Sequence, residues 1–142
     1  MGHRPLLQAA LLMLAALLAP GAEAQTTSRP DTGLDRARAG AFDAQATIRC
    51  AQEVGEALGD CAAGVAHGEW GHATVVVTFP NGFRRILFFA EGTFDRGNPT
   101  MSGVGTDTSW SLTDGVHVIR VDDQRFEIPD AFVFPDEVPR RS

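Results

Sequence analysis

The sequence predicts a small all-β domain, an antiparallel barrel or sandwich of about seven strands with one short helical turn. Three observations indicate this fold class. Short runs of β-branched and aromatic residues follow one another between residues 73 and 134. Pairs of Asn, Asp and Gly separate several of these runs at the distances expected of hairpin turns. The chain of 142 residues is also long enough for only one small domain once its ends are set aside.

Both ends of the chain are predicted to lie outside this domain. Residues 1–24 have a basic start, an apolar Leu/Ala run, a Pro-Gly break and Ala-Glu-Ala, the pattern of a cleaved secretory signal peptide. Their apolar run is shorter than the roughly 20 residues that a membrane span needs. Residues 25–41 contain one large apolar residue, Leu34, so we expect a flexible tether there. Residues 135–142 are expected to form a flexible tail, which leaves 42–134 as the β domain.

Cys50 and Cys61 are the only cysteines. Export would place them in an oxidising compartment, so we expect a disulfide between them. The alternatives are a reactive thiol or a metal-binding pair, but no further Cys or His stands near them in zinc-finger spacing. Residues 51–58 between the two cysteines are predicted to supply the short helical turn.

Two hairpins form the centre of the predicted sheet. The first has strands over 73–79 and 83–89, joined by Pro80-Asn81-Gly82. The second joins 109–112 to 116–121, and a further turn leads into 125–128. A last apolar segment, 131–134, is expected to be an edge strand. Period-2 alternation predicts the following core residues: Val75, Val77, Ile86, Phe88, Val118, Phe126, Ile128 and Val133.

Composition excludes several classes of function. A net charge of −6 argues against nucleic-acid binding, which usually needs a basic face. The chain has no Lys and no Tyr, which excludes a Schiff-base lysine and a catalytic tyrosine. We find no G-x-S-x-G elbow, phosphate loop or dinucleotide fingerprint. The chain is therefore expected to be a monomer that is not an enzyme, has no cofactor, and does not insert into the membrane after signal cleavage.

The segment from His67 to His72 has the strongest candidates for function. If residues 64–67 pair with 72–77, a four-residue hairpin loop lies between them. Trp70 on that loop indicates a surface for a protein partner, with Glu69 setting its orientation. Alternatively, Trp70 folds back onto the end of the barrel. His67 and His72 would face each other across the ladder and, with Glu69 nearby, could bind zinc or copper; otherwise they are unrelated residues of a solvated tip.

Five stretches resemble an uncharacterised family of small exported proteobacterial proteins. They are residues 47–52, 61–66, 73–78, 85–89 and 125–131. The resemblance implies a shared exported domain and transfers no activity. Family members have a glycine-rich tip where this chain has residues 67–72, so the resemblance assigns no role to that segment.

Two functional classes follow from the sequence. The first is a periplasmic or secreted, non-enzymatic β domain that binds or inhibits a protein partner in the cell envelope. The second is a small metal-binding periplasmic protein that uses His67 and His72, with His117 as an optional third ligand.

Overall fold

The structure is a computed structural model that describes residues 29–99 and 107–135. In this part of the chain, eight antiparallel strands form one sheet that curls into a nearly closed barrel. The strands are β1 (Ala44–Ala51), β2 (Gly59–His67), β3 (Ala73–Thr78), β4 (Arg84–Ala90), β5 (Thr93–Gly97), β6 (Thr108–Thr113), β7 (Val116–Val121) and β8 (Gln124–Pro129). Two short helices accompany them, α1 (Leu34–Arg38) and α2 (Asp130–Val133). The predicted all-β class is confirmed.

The sheet consists of two meanders joined by one short ladder. The strand order is β5-β4-β3-β2-β1-β8-β7-β6, so β1 pairs with β8 to connect the first five strands to the last three. That ladder contains three pairs, which oppose Arg49 to Glu127, Cys50 to Phe126 and Ala51 to Arg125. β5 and β6 approach each other at the two edges without a ladder between the residues described. The barrel therefore has a seam between β5 and β6.

Aromatic side chains fill the barrel interior. Phe79, Phe89, Phe126 and Phe134 are fully or almost fully buried. The ring centroids of Phe79 and Phe126 are 5.7 Å apart, and those of Phe89 and Phe134 are 5.9 Å apart. The other large buried side chains come from alternate positions of the strands, as a period of two requires; they include Val65, Val75, Val77, Leu87, Ile119, Val121 and Ile128.

Six of the eight predicted core residues are buried, and the prediction was wrong at Ile86 and Val118. On β4 it is Arg85, Leu87 and Phe89 that are turned inward. Apolar residues occupy both faces of this strand, so alternation alone did not identify the inner face. The confirmed positions are Val75, Val77, Phe126, Ile128 and Val133 inside the barrel, together with Phe88, which is buried on the opposite face of β4.

Burial of Arg85 at one end of the barrel is possible because its polar atoms are bonded. Its Nε donates to Gln124 Oε1 at 2.7 Å, and its Nη1 donates to the Asn98 carbonyl at 2.6 Å. Desolvation lowers the pKa of the guanidinium from its ordinary value. Val118 on β7 is 40% exposed, because its neighbour Ile119 takes the inward position.

The last apolar segment forms a helix, so the expected edge strand over 131–134 was wrong. Pro129 ends β8 because proline has no amide hydrogen for a ladder. Asp130 then donates its amide to the Gly115 carbonyl at 2.8 Å, and α2 begins there. The turn of chain brings Phe134 over the end of the barrel, where it packs on Phe89.

The loop between β1 and β2 contains turns but no helix, contrary to the helical turn predicted over 51–58. The Glu56 carboxylate holds it, accepting the amide hydrogens of Gln52 at 2.6 Å and Glu53 at 3.0 Å. These hydrogen bonds lower the pKa of Glu56. Arg125 on β8 donates to the Glu56 carbonyl and ties the loop to the sheet.

Residues before β1 pack on the outside of the barrel. Ala37 of α1 is buried against Ala66 and Val76, and Phe42 and Ile86 pack on the same cluster. The expected flexible tether therefore does not hold for α1. A helix with so few apolar residues can pack here because the small side chain of Ala37 allows close approach to the sheet.

Three predicted segments lie wholly or partly outside the described residues. These are the signal peptide 1–24, the start of the tether at 25–28 and residues 136–142 of the tail. Residues 100–106 between β5 and β6 also lie outside them. Among the residues that are described, no helix is long and apolar enough to cross a membrane.

The predicted disulfide is confirmed. Cys50 and Cys61 are joined, with their Cα atoms 5.9 Å apart. The bridge links β1 to β2 inside the core, and Cys50 also lies opposite Phe126 on β8. The cross-link is thus located where the two meanders meet.

Replacing Cys50 with Ser should lower the free energy of unfolding by about 2–4 kcal/mol, because the unfolded chain regains freedom and a buried contact is lost. Urea unfolding of oxidised protein measures the change. The control is the Cys50→Ser/Cys61→Ser double variant, which should resemble the single variant. Unfolding midpoints equal to that of the parent protein would contradict a stabilising role for the bridge.

Truncating Phe126 to Ala should cost about 3–5 kcal/mol, since a fully buried ring leaves a cavity between β8 and the rest of the core. Thermal or urea unfolding gives the value. Val118→Ala is the matched control on the adjacent strand and should cost less than about 1 kcal/mol, because Val118 is largely exposed. Similar losses for the two variants would show that the inner and outer faces have been assigned wrongly.

Candidate functional site

The tip, residues 68–72, connects β2 to β3 through a tight turn. His67 pairs with Ala73 at the end of the ladder. Gly68 donates its amide to the His72 carbonyl at 2.8 Å, and His72 donates to the Glu69 carbonyl at 2.9 Å. Trp70 and Gly71 between them have φ angles of 60° and 77°, as a type I′ turn requires. The predicted hairpin is therefore present with a different register, in which His67 faces Ala73 and not His72.

Trp70 occupies a backbone conformation that does not suit a large side chain. Left-handed backbone costs an ordinary L-residue about 1–2 kcal/mol, and turns of this type favour Asn, Asp or Gly at this position. Asp114 and Glu91 hold the corresponding left-handed positions before Gly115 and Gly92 elsewhere in the barrel. The Trp70 side chain is 59% exposed. The turn thus presents a large aromatic surface that its own geometry does not require.

Glu69 binds the chain segment that precedes α1. Its amide donates to the Asp31 carbonyl at 2.6 Å, and its Oε1 accepts the Asp31 amide at 2.8 Å. Gly68 permits this approach, because a Cβ there would overlap the Asp31 carbonyl. The predicted role of Glu69 was to orient a partner. The structure places its carboxylate on Asp31, where it fixes the base of the tip.

His67 and His72 have separate protein partners. His67 Nε2 lies 2.9 Å from the Val133 carbonyl of α2, whereas His72 Nδ1 lies 2.7 Å from the Glu69 carbonyl within the tip. Their backbones are not opposite each other in the ladder. Across residues 29–99 and 107–135, no three His, Cys, Asp or Glu side chains are grouped so that they could hold a metal ion. The structure does not assemble the zinc or copper pair that the sequence suggested.

Asp43 forms the strongest polar cluster beside the tip. Its carboxylate accepts from Arg36 Nη1 at 3.0 Å and Nη2 at 3.1 Å, and from the His67 amide at 2.7 Å. The same carboxylate lies 3.2 Å from His67 Nδ1. Hydrogen bonds from Arg36 and then from the His67 amide lower the pKa of Asp43, and the carboxylate raises the pKa of Arg36. The cluster joins α1, the start of β1 and the end of β2.

His117, which the sequence suggested only as an optional third metal ligand, is a fully buried polar residue. Trp110 Nε1 donates to His117 Nδ1 at 3.0 Å, and His117 Nε2 lies 2.9 Å from Asp130 Oδ1. Since an indole N–H can only donate, Nδ1 accepts and Nε2 carries the hydrogen toward Asp130. The ring also packs edge-on against Phe89, with centroids 5.0 Å apart. His117 therefore anchors α2, and its optional role as a third metal ligand was wrong.

No family model matches the chain, and no curated protein or solved structure matches it. The resemblance to small exported proteobacterial proteins stays a prediction.

Asp43→Asn should lower the free energy of unfolding at pH 7 by about 1 kcal/mol, after allowance for solvent at a carboxylate that is 38% exposed. The pKa of the carboxyl is lower in the folded protein than its ordinary value of 3.8. Its ionised form therefore stabilises the fold above that value, and the contribution is lost as the pH falls through the folded-state pKa. The difference between the two proteins should shrink below about pH 4, which urea unfolding across a pH series would measure.

Asp107→Asn is the matched control, because Asp107 is 75% exposed and pairs with Arg120 at 3.2 Å. It should change stability by less than about 0.5 kcal/mol at pH 7. A loss as large as that of Asp43→Asn, or a pH-independent loss for Asp43→Asn, would contradict the assignment.

Proposed function

We propose that this protein is an exported, non-enzymatic module of the cell envelope that binds a protein partner through Trp70. The observation that carries the proposal is the exposed Trp70 side chain at a left-handed turn position. Strained backbone of this kind concentrates at functional sites, where the surrounding structure maintains it. Tryptophan is also enriched among the residues that contribute most to protein–protein binding.

The hydrogen bonds that hold the tip in place favour binding without a large rearrangement. Asp31 is bonded to Glu69 on one side of the tip, and Asp43 is bonded to His67 at its base. A side chain presented from a fixed turn loses little conformational freedom when it binds, so more of its contact energy appears as affinity. Glu69 contributes by positioning Trp70.

Two observations support export. The first 24 residues have the pattern of a cleaved signal peptide. The Cys50–Cys61 disulfide is of the kind that persists in the periplasm or outside the cell. The alternative of a metal-binding protein has less support, because the two histidines of the tip are each bonded to a different carbonyl group.

The variant Trp70→Asn tests the binding role of Trp70 separately from any role in folding. Asn suits left-handed backbone better than Trp, so this variant should keep or raise the free energy of unfolding, by up to about 1 kcal/mol. When immobilised, this variant should also fail to capture the proteins that the immobilised parent protein retains from an envelope extract. Urea unfolding and quantitative mass spectrometry of the retained proteins measure the two effects.

Val54→Asn is the matched control, since Val54 is an exposed apolar residue on the β1–β2 loop, 75% accessible. It should retain the same proteins as the parent. Unchanged capture by Trp70→Asn would contradict the proposal. Unfolding of Trp70→Asn would instead show that Trp70 serves the fold, as the alternative of a ring folded onto the barrel end requires.

A further inference from the structure

A second surface lies on the outer side of the barrel, away from the tip turn. It is a groove of about 230 Å³ between α1 and the outer face of β3 and β4. We call it the arginine groove, and its lining residues are Ala37, Arg38, Val76, Arg84, Ile86 and Asn98.

The floor of the arginine groove is apolar and small. Ala37 and Val76 are buried there, and Ile86 is half-buried beside them. A volume of about 230 Å³ is enough to hold one aliphatic side chain. A long acyl chain would need an extended apolar channel, which this floor does not offer.

The rims of the arginine groove carry two cations. Arg38 ends α1 on one side, and Arg84 begins β4 on the other. Both are exposed, and neither guanidinium group is among the ion pairs of the described residues. In a chain of net charge −6, two cations beside one apolar floor form a local positive region.

Asn98 adds a fixed amide at the same rim. Its side-chain Oδ1 accepts the Ile86 backbone amide hydrogen at 2.8 Å, and its backbone amide donates to the Ile86 carbonyl at 2.9 Å. With the oxygen used in this way, the Nδ2 group remains as a hydrogen-bond donor. The groove therefore combines a donor amide and two guanidinium groups around a single apolar floor.

We propose that the arginine groove binds an acidic peptide segment. One apolar side chain of the peptide lies on the floor over Val76 and Ile86, and carboxylates on either side of it pair with Arg38 and Arg84. The planar guanidinium group suits this task because it can donate two parallel hydrogen bonds to one carboxylate. The charge of the rims and the size of the floor together select a short acidic-apolar-acidic sequence.

Fluorescence anisotropy with a labelled Glu-Asp-Leu-Asp-Glu peptide tests the proposal on the full exported chain. Binding should be saturable, should weaken as salt is raised, and should weaken about tenfold or more in Arg84→Gln and in Arg38→Gln. Arg49→Gln is the matched control: Arg49 is exposed on β1 and the substitution removes the same charge. It should bind the peptide like the parent protein.

Three results would overturn the proposal. Equal weakening by Arg49→Gln would show that only net charge matters. Equal binding of a peptide with Gly in place of Leu would show that the floor is not used. Binding to phosphatidylglycerol vesicles without binding to the peptide would assign the groove to a lipid surface. Trp70→Asn should leave peptide binding unchanged, so failure here is distinguishable from failure of the tip to bind a partner.

Discussion

The short ladder between β1 and β8 is the contact on which the rest of the barrel depends. It contains three residue pairs, yet it alone among the described ladders joins the first five strands to the last three. It brings together residues as distant in sequence as Arg49 and Glu127, so its formation closes a long loop at an entropic cost. The disulfide lies at this junction and holds β1 against β2 while Cys50 lies opposite Phe126. The covalent bond thus crosses the seven-pair ladder of β1 and β2 and fixes β1 at the position where it meets β8.

The segment before β1 has a comparable role on the outside of the barrel. Thr74 on β3 donates its hydroxyl to the Thr32 carbonyl at 2.8 Å, beside the Asp31–Glu69 pair. Ala37 then covers an apolar patch on the outer face of β2 and β3. The same segment thus holds the base of the tip through Asp31 and forms one wall of the arginine groove through Ala37 and Arg38. Both candidate binding surfaces therefore depend on a segment whose composition alone predicts a tether.

The local sequence pattern was sufficient to predict those elements whose contacting residues lie close together in the sequence. Turn chemistry and alternation predicted the hairpin of β3 and β4 and the strand β7, and the tip around Trp70 was identified from its residues alone. The inner face of β4 could not be predicted, because Ile86 and Phe88 on its outer face are as apolar as Leu87 and Phe89 on its inner face. α2 depends on contacts with residues from other parts of the chain, such as His67 with Val133. The supports of the tip were missed for the same reason, since Asp43 is 24 residues from His67.

Trp70 is one of four non-glycine residues that adopt left-handed backbone in the described part of the chain. Left-handed backbone is also adopted by Glu91, Asp114 and Asp122, whose side chains are polar and, for the two Asp residues, well suited to it. The barrel thus also forms such turns with polar residues. A strained residue persists only where the surrounding structure over-determines its position. The hydrogen bonds between Asp31 and Glu69 and between Asp43 and His67 supply that determination at the tip.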